Sequence, residues 1–364
     1  MFSRRVFLGG LAAGVTEAAL AQRASFAATS THTVWLNANE YPDGPPPASI
    51  AAMTRTLAES NRYHYEEFES FYAKLAENFH VGPDNILVGS GSSEVLHCAI
   101  DAFVNQTRPY ITSWPSFEAG PVLCAARGFP VVKILLRSDH SADVRALAKA
   151  ASDAGGGLIY VCNPNNPTSS LTPVEDIRWL AGHLPPATYL LVDEAYIHFT
   201  ALGEQDSAIE LMRKGKSVIV ARTFSKIYGM AGLRVGFVLA PSELIHAMTP
   251  YRNNVISIIG VRAALAALDL GPRLIEERRA RIADMRRGLT DWCGRKRLQY
   301  IEPHANFMMI ETGKDVRQVG AALMTRSVAA GRPFPPYNTM LRVTIGAEKD
   351  MAKFQNALSE VLGL

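Results

Sequence analysis

The sequence predicts an α/β fold with a largely parallel sheet in a large domain, followed by a smaller α+β domain. Three observations carry this. Short β-branched or apolar runs alternate with helical stretches between residues 85 and 220, the signature of strand-helix-strand units. The pattern changes after Pro250 to a long charged helix, about Gly271 to Arg295, and then short strands near Phe307 and Leu341. Finally, 364 residues at 48% hydrophobic exceed the usual span of one domain and suffice for a large core.

Taken in order, the chain opens with Ser3-Arg4-Arg5-Val6-Phe7-Leu8 and a weakly apolar run from Gly9 to Val15. Glu17 interrupts the run, which is too short to span a bilayer, and Ala19-Leu20-Ala21 and Ser25-Phe26-Ala27 offer small residues at cleavage spacing. This resembles a twin-arginine (Tat) signal, whose pathway carries folded proteins. The expectation is a signal over residues 1–28 and export to the periplasm or beyond; the alternative is a cytoplasmic protein with an irrelevant start. Residues 29–47 read as an extended arm, because Pro42 and the Gly44-Pro45-Pro46-Pro47 turn cannot continue a helix. Helical patterning starts at Ala48, and the large domain is expected over 48–250, the small one over 251–364.

Within the large domain, strands are predicted at Asn85 to Val88, Pro109 to Thr112, Val131 to Leu136, Leu158 to Val161, Tyr189 to Val192 and Ser217 to Val220. The net charge of +3 is mild, and Arg278-Arg279-Ala280-Arg281 and Arg286-Arg287 read as the solvated face of a helix, so nucleic acid is not an expected partner. Cys98, Cys124, Cys162 and Cys293 lack the spacing of a zinc site and read as buried thiols.

In a parallel sheet, ligands bind at the carboxyl ends of the strands. Here those ends carry chemistry. Thr223-Phe224-Ser225-Lys226 follows the last strand, and Arg234 lies shortly beyond. A lysine so placed can form a Schiff base with pyridoxal phosphate (PLP), with Thr223, Ser225 and Arg234 suited to its phosphate. Taken alone, Lys226 would read as a surface lysine. Gly89-Ser90-Gly91-Ser92-Ser93-Glu94 opens a helix whose free N–H groups favour a phosphate, although ordinary capping explains such a turn as well. Trp114-Pro115-Ser116-Phe117 offers a ring that stacks on a pyridine or simply fills the core. Asn163-Pro164-Asn165-Asn166-Pro167-Thr168 aims an amide from a strand end, with Asn166 able to donate to a phenolate oxygen. Val192-Asp193-Glu194-Ala195-Tyr196 places a carboxylate after an apolar run. Asp193 there pairs naturally with a protonated pyridine nitrogen and Tyr196 with the ring's 3-oxygen; the alternative, metal binding, lacks an accompanying phosphate loop. Arg342, in Met340 to Gly346, suits a bidentate grip on a carboxylate, or is an edge-strand surface residue.

These motifs, together with Leu36-Asn37-Ala38-Asn39-Glu40-Tyr41-Pro42 and Asn61-Arg62-Tyr63, resemble those of the class I/II aminotransferases of PLP fold type I, most similarly the histidinol-phosphate aminotransferases. The resemblance runs from Val34 to the carboxyl terminus and implies a mostly parallel seven-stranded sheet. It implies Lys226 as Schiff-base lysine and proton shuttle, Asp193 on the pyridine nitrogen, Asn166 and Tyr196 on the 3-oxygen, and Phe117 against the ring. Gly91, Ser92, Ser93, Thr223, Ser225 and Arg234 would hold the phosphate. Arg342 would bind the substrate carboxylate, and Tyr41 and Arg332 resemble substrate-phosphate positions. Tyr63 would reach the neighbouring subunit's cofactor, implying a homodimer with shared sites. The chain departs from the family in having Phe117 for tyrosine, Ser93 for aspartate, Ser169 for glycine and His64 for proline, and its loop from Arg332 to Arg342 is short and proline-rich.

The implied activity is transfer of an amino group between an amino acid or amino-phosphate and a 2-oxo acid. A decarboxylase or racemase would use the same cofactor contacts. A PLP-binding regulator would carry a DNA-binding domain ahead of this part, where only a leader is read; a noncatalytic ligand-binding protein would not need Lys226 and Asp193.

Overall fold

The structure, a computed structural model, describes residues 33–253 and 255–364, so the expected signal segment lies outside the described residues. The strands are β1 (Val34–Leu36), β2 (Ile86–Ser90), β3 (Tyr110–Trp114), β4 (Val131–Leu135), β5 (Gly157–Cys162), β6 (Thr188–Asp193), β7 (Val218–Thr223), β8 (Val235–Leu239), β9 (Phe307–Glu311), β10 (Val328–Ala330) and β11 (Met340–Thr344). Seven of them form one sheet in the order β2-β8-β7-β6-β5-β3-β4. Every residue of β7 and β8 is buried, as are nearly all of β5 and β6, which is why these segments read as continuous apolar runs rather than alternating ones.

All six strands read from the sequence are present. The seventh, β8, was not read from the pattern, because its apolar run follows Arg234 without a turn signal of its own. It is antiparallel to both neighbours, β7 and β2. That reversal brings the start of β8 to the carboxyl ends of β7 and β2, with Gly236 beside Thr223 and Gly89. The approach is close: a Cβ on Gly236 would lie 2.2 Å from the Ser92 nitrogen. Along the middle of the sheet, parallel register sets Cys162 beside Asp193 and Asp193 beside Ala221, so the turns after β5, β6 and β7 share one rim.

The remaining strands form two small sheets, β1 parallel to β10 and β9 antiparallel to β11. The arm therefore pairs with the carboxyl-terminal segment. This brings the residues just after β1 to the rim: the Asn39 N–H donates to Thr344 Oγ1 at 2.9 Å, and Asn306 Nδ2 donates to the Asn39 carbonyl at 3.1 Å.

One expectation is corrected. Arg278, in the helix Gly271–Lys296, is buried rather than solvated, donating to the Ile227 carbonyl at 2.8 Å and the Gly44 carbonyl at 2.9 Å. Arg286 likewise donates to the Phe199 and Ala305 carbonyls at 3.3 and 3.2 Å. The reason is spacing: Arg278 heads the buried stripe continued by Ile282, Leu289, Trp292 and Cys293. Guanidiniums there satisfy carbonyls of irregular segments, which helix and sheet ladders leave unpaired. The four cysteines are buried free thiols.

Candidate active site

Twelve of the residues singled out in the sequence line one cavity of about 250 Å³: Ser92, Ser93, Phe117, Asn166, Asp193, Tyr196, Thr223, Ser225, Lys226, Arg234, Arg332 and Arg342. A larger hollow of about 610 Å³ opens between Glu204, Arg213 and the start of the Gly271–Lys296 helix, but no lysine lines it. The smaller cavity holds the chemistry.

Lys226 follows β7, and its Nζ donates to the Ala38 carbonyl at 3.1 Å. Burial, reinforced by the positive charge of Arg342, depresses its pKa to about 8. Asp193 ends β6 and is buried; burial raises its pKa to about 6, against the opposing effect of hydrogen bonds from the Tyr160 hydroxyl at 2.9 Å and the Ala195 N–H at 3.2 Å. The charge of Lys226 also lowers it, but the hydrogen bonds to this carboxylate among the described residues come from neutral donors. A buried carboxylate in that position has room for a cationic partner.

At another corner, Gly91 caps the helix Ser92–Phe103 with φ +76 and ψ 167, a conformation close to glycine-only. A Cβ there would sit 2.1 Å from Arg234 Nη2, so the glycine also makes room for the guanidinium. Arg234 donates only to neutral oxygens, the Ala231 carbonyl at 2.9 Å and Ser225 Oγ at 3.4 Å. Thr223 and Ser225 hydroxyls lie 2.9 Å apart. A helix N-terminus, hydroxyls and a guanidinium without a carboxylate partner form an anion cradle. Gly91→Ala is expected to lower affinity for PLP at least about tenfold, combining about 1–3 kcal/mol of backbone strain with displacement of Arg234. Titration of the cofactor-free variant with PLP measures this.

Asn166 spends its Oδ1 on Arg342 Nη1, at 2.6 Å, which leaves its Nδ2 to donate into the cavity. Arg342 Nη2 donates to the Asn37 carbonyl at 2.7 Å, and its Nε has no partner. Tyr196 receives a hydrogen bond from Asn39 Nδ2 at 3.1 Å.

Two singled-out residues lie elsewhere. Tyr41 is buried with its ring 4.4 Å from the Arg278 guanidinium and does not line the cavity. Tyr63 is 68% exposed and stacks on Tyr65 at 5.2 Å. Sequence reasoning in turn missed Tyr160 and Asn39. Tyr160 reads as one more apolar position of a buried strand; Asn39 stands in a quoted motif but has no strand end to mark it.

The residues match the chemistry of PLP: an amine of depressed pKa, a buried acid hydrogen-bonded by neutral donors, and an anion cradle. Residues 31–361 match the family model "Aminotransferase class I and II". The chain belongs to that family. It is 33% identical to a histidinol-phosphate aminotransferase of Symbiobacterium thermophilum, covering 91% of each chain. It is 31% identical to an aromatic amino acid aminotransferase of Cutibacterium acnes, covering 88% of this chain and 91% of the relative. The crystal structure of histidinol-phosphate aminotransferase from Sinorhizobium meliloti in complex with pyridoxal-5'-phosphate superposes with a TM-score of 0.86 at 28% identity, covering 94% of this chain and 93% of that one. The fold is thus PLP fold type I, and the protein is a PLP-dependent aminotransferase.

Proposed function

We propose that Lys226 holds the cofactor and moves the proton of the donor's α-carbon, in an enzyme that transfers an amino group from an amino acid or a histidinol-phosphate-like amine to a 2-oxo acid. The observation that carries this reading is the meeting of Lys226, Asp193 and Arg342 on one cavity, with neither cation held by a carboxylate. When bound, PLP supplies an aldehyde that captures amines and a protonated ring that draws electrons from the carbon bearing the amine.

The chain's own residues do the rest. Asp193 would hold the ring nitrogen protonated, its other contacts being the neutral donors Tyr160 and Ala195. Asn166 Nδ2 and the Tyr196 hydroxyl would donate to the 3-oxygen, Phe117 would lie against the ring, and the Gly91 to Ser93 turn with Thr223, Ser225 and Arg234 would hold the phosphate. Arg342, which lines the cavity, would take the donor's carboxylate or the phosphate that stands in its place, in a setting where burial and the nearby Arg332 hold its own pKa down to about 10. An amine of pKa about 8 is a workable base near neutral pH once it is free, and its protonated form returns the proton at the acceptor stage.

The same pKa sets a test. Only the neutral amine attacks an aldehyde, so capture of PLP by the cofactor-free protein is expected to accelerate as pH rises through about 8, not near 10.5 as for an ordinary lysine. Stopped-flow absorbance over a pH series checks it.

Of the two positions expected at a donor phosphate, Arg332 lines the cavity and Tyr41 does not. The exposed Tyr63 supports the reading that it serves the site of a second subunit in a homodimer. Export through a twin-arginine signal over residues 1–28, and the division at 250/251 into a large and a small domain, remain part of the proposal. The deciding experiment is the visible spectrum of the protein with PLP, before and after histidinol phosphate and then free amino acids. Loss of the lysine-bound band with a donor, and its return with a 2-oxo acid, is expected. Absence of any band overturns the reading.

A further inference from the structure

The two arginines at the substrate side of the cavity are in different electrostatic states. Both lie against the same ring, Phe334, with Arg332 Cζ 4.1 Å and Arg342 Cζ 4.7 Å from its centroid. Phe334 is buried among Ile301 and Met309, so it forms a fixed apolar floor between them. Arg342 is 6% exposed and donates only to neutral oxygens. Arg332 is already taken: its Nη1 donates to Glu118 Oε1 at 3.2 Å, and its Nη2 donates to Glu118 Oε2.

Glu118 is held in place by its position. It stands at the N-cap of the helix Ala119–Arg127, where the helix dipole favours negative charge, and it meets the guanidinium at two points. It also follows Phe117, which lines the cavity. A donor with one carboxylate needs one cation, and Arg342 supplies it. A donor with two negative charges, as a phosphate dianion or a second carboxylate, needs Arg332 as well and finds it neutralised by an anion at the rim.

We propose that Glu118 sets donor specificity: by occupying Arg332 it disfavours doubly anionic donors and leaves a site selective for amino acids with one carboxylate and an uncharged, apolar or aromatic side chain. This rests on the aminotransferase site proposed above and narrows its donor class. Glu118 is a specificity residue that acts through Arg332, and the apolar face of Phe334 takes the place of a second anion's partner. The same charges reach Arg342, which Arg332 pushes down and Glu118 pulls up in pKa.

The test uses the protein loaded with PLP, as wild type, Glu118→Gln and Glu118→Ala. Isothermal calorimetry measures the Kd of two unreactive analogues, maleate as the dianion and 3-phenylpropionate as the monoanion. Single-turnover absorbance then follows histidinol phosphate, aspartate and phenylalanine as donors. In the wild type, 3-phenylpropionate should bind more tightly than maleate. In both variants maleate affinity should rise about 3- to 10-fold, the screened scale expected on removing a like charge from a half-exposed ion pair, while 3-phenylpropionate changes little. The donor rates should move the same way, through the apparent Kd and not the limiting rate. A wild type that prefers maleate, or a maleate to 3-phenylpropionate ratio unchanged in both variants, overturns the inference. Because the analogues bind without reacting, a protein that transfers no amino group would sink the proposed activity while this comparison still decides the role of Glu118.

Discussion

Lys226→Ala is expected to abolish amino transfer, by at least about 10⁴-fold, without unfolding the protein. No other lysine lines the cavity, so nothing else there can capture an aldehyde or carry the α-proton. The Lys226 amine donates to a single backbone carbonyl, that of Ala38, and its charge is held in the interior at a cost visible in its depressed pKa. Removing the side chain therefore forfeits little stability. The checks are turnover, loss of the lysine-bound absorption band on adding PLP, and an unchanged far-ultraviolet dichroism spectrum. Transfer retained by this variant would refute the assignment of Lys226.

The largest expected effect on stability falls behind the site, at Arg222. This residue of β7 is 1% exposed and points away from the cavity side occupied by its neighbour Thr223. Its Nε donates to Glu194 Oε2 at 2.9 Å, and its terminal nitrogens donate to both Glu204 oxygens at 2.8 Å and to Ser207 Oγ at 3.0 Å. Glu194 is as buried as Arg222, and burial pushes its carboxyl up despite the arginine's opposing pull. Arg222→Ala leaves that carboxylate in the interior without its cation, at a cost of about 3–5 kcal/mol. Urea denaturation measures it. Arg222→Met combined with Glu194→Met should recover much of the loss, since breaking a buried pair costs more than replacing it with apolar residues. A loss below about 1 kcal/mol for the single variant would show the pair to be unimportant. Because Glu194 and Arg222 flank Asp193 and Thr223 in sequence, the pair ties together the two strands that present Asp193 and Thr223 to the cavity.

How much of this was legible in the sequence depends on the distance over which each feature is encoded. Strands β5, β6 and β7 announce themselves because a strand buried on both faces must be apolar throughout, and the turn after each is local in sequence. Lys226, Asp193 and Asn166 could be singled out for that reason. Strands β1 and β10, three residues each, carry too few side chains to show a period, and β8 merges with the preceding motif. Of the arginines expected on the solvated face of the Gly271–Lys296 helix, Arg281 and Arg287 are exposed but Arg278 and Arg286 are turned inward, and the spacing of Arg278 from Ile282 already placed it on the buried stripe.

By itself, then, the sequence determined which chemical groups stand at the strand ends, because a strand and its following turn are adjacent along the chain. Only the tertiary structure decided what those groups are paired with. Arg342 and Asn166 are 176 residues apart, and Arg332 and Glu118 are 214 apart. No local period links such residues; they meet because sheet register and the docking of the arm on the carboxyl-terminal strands bring them together. Pairing follows from that meeting: Arg342 donates to neutral amide oxygens, and Arg332 donates to a carboxylate.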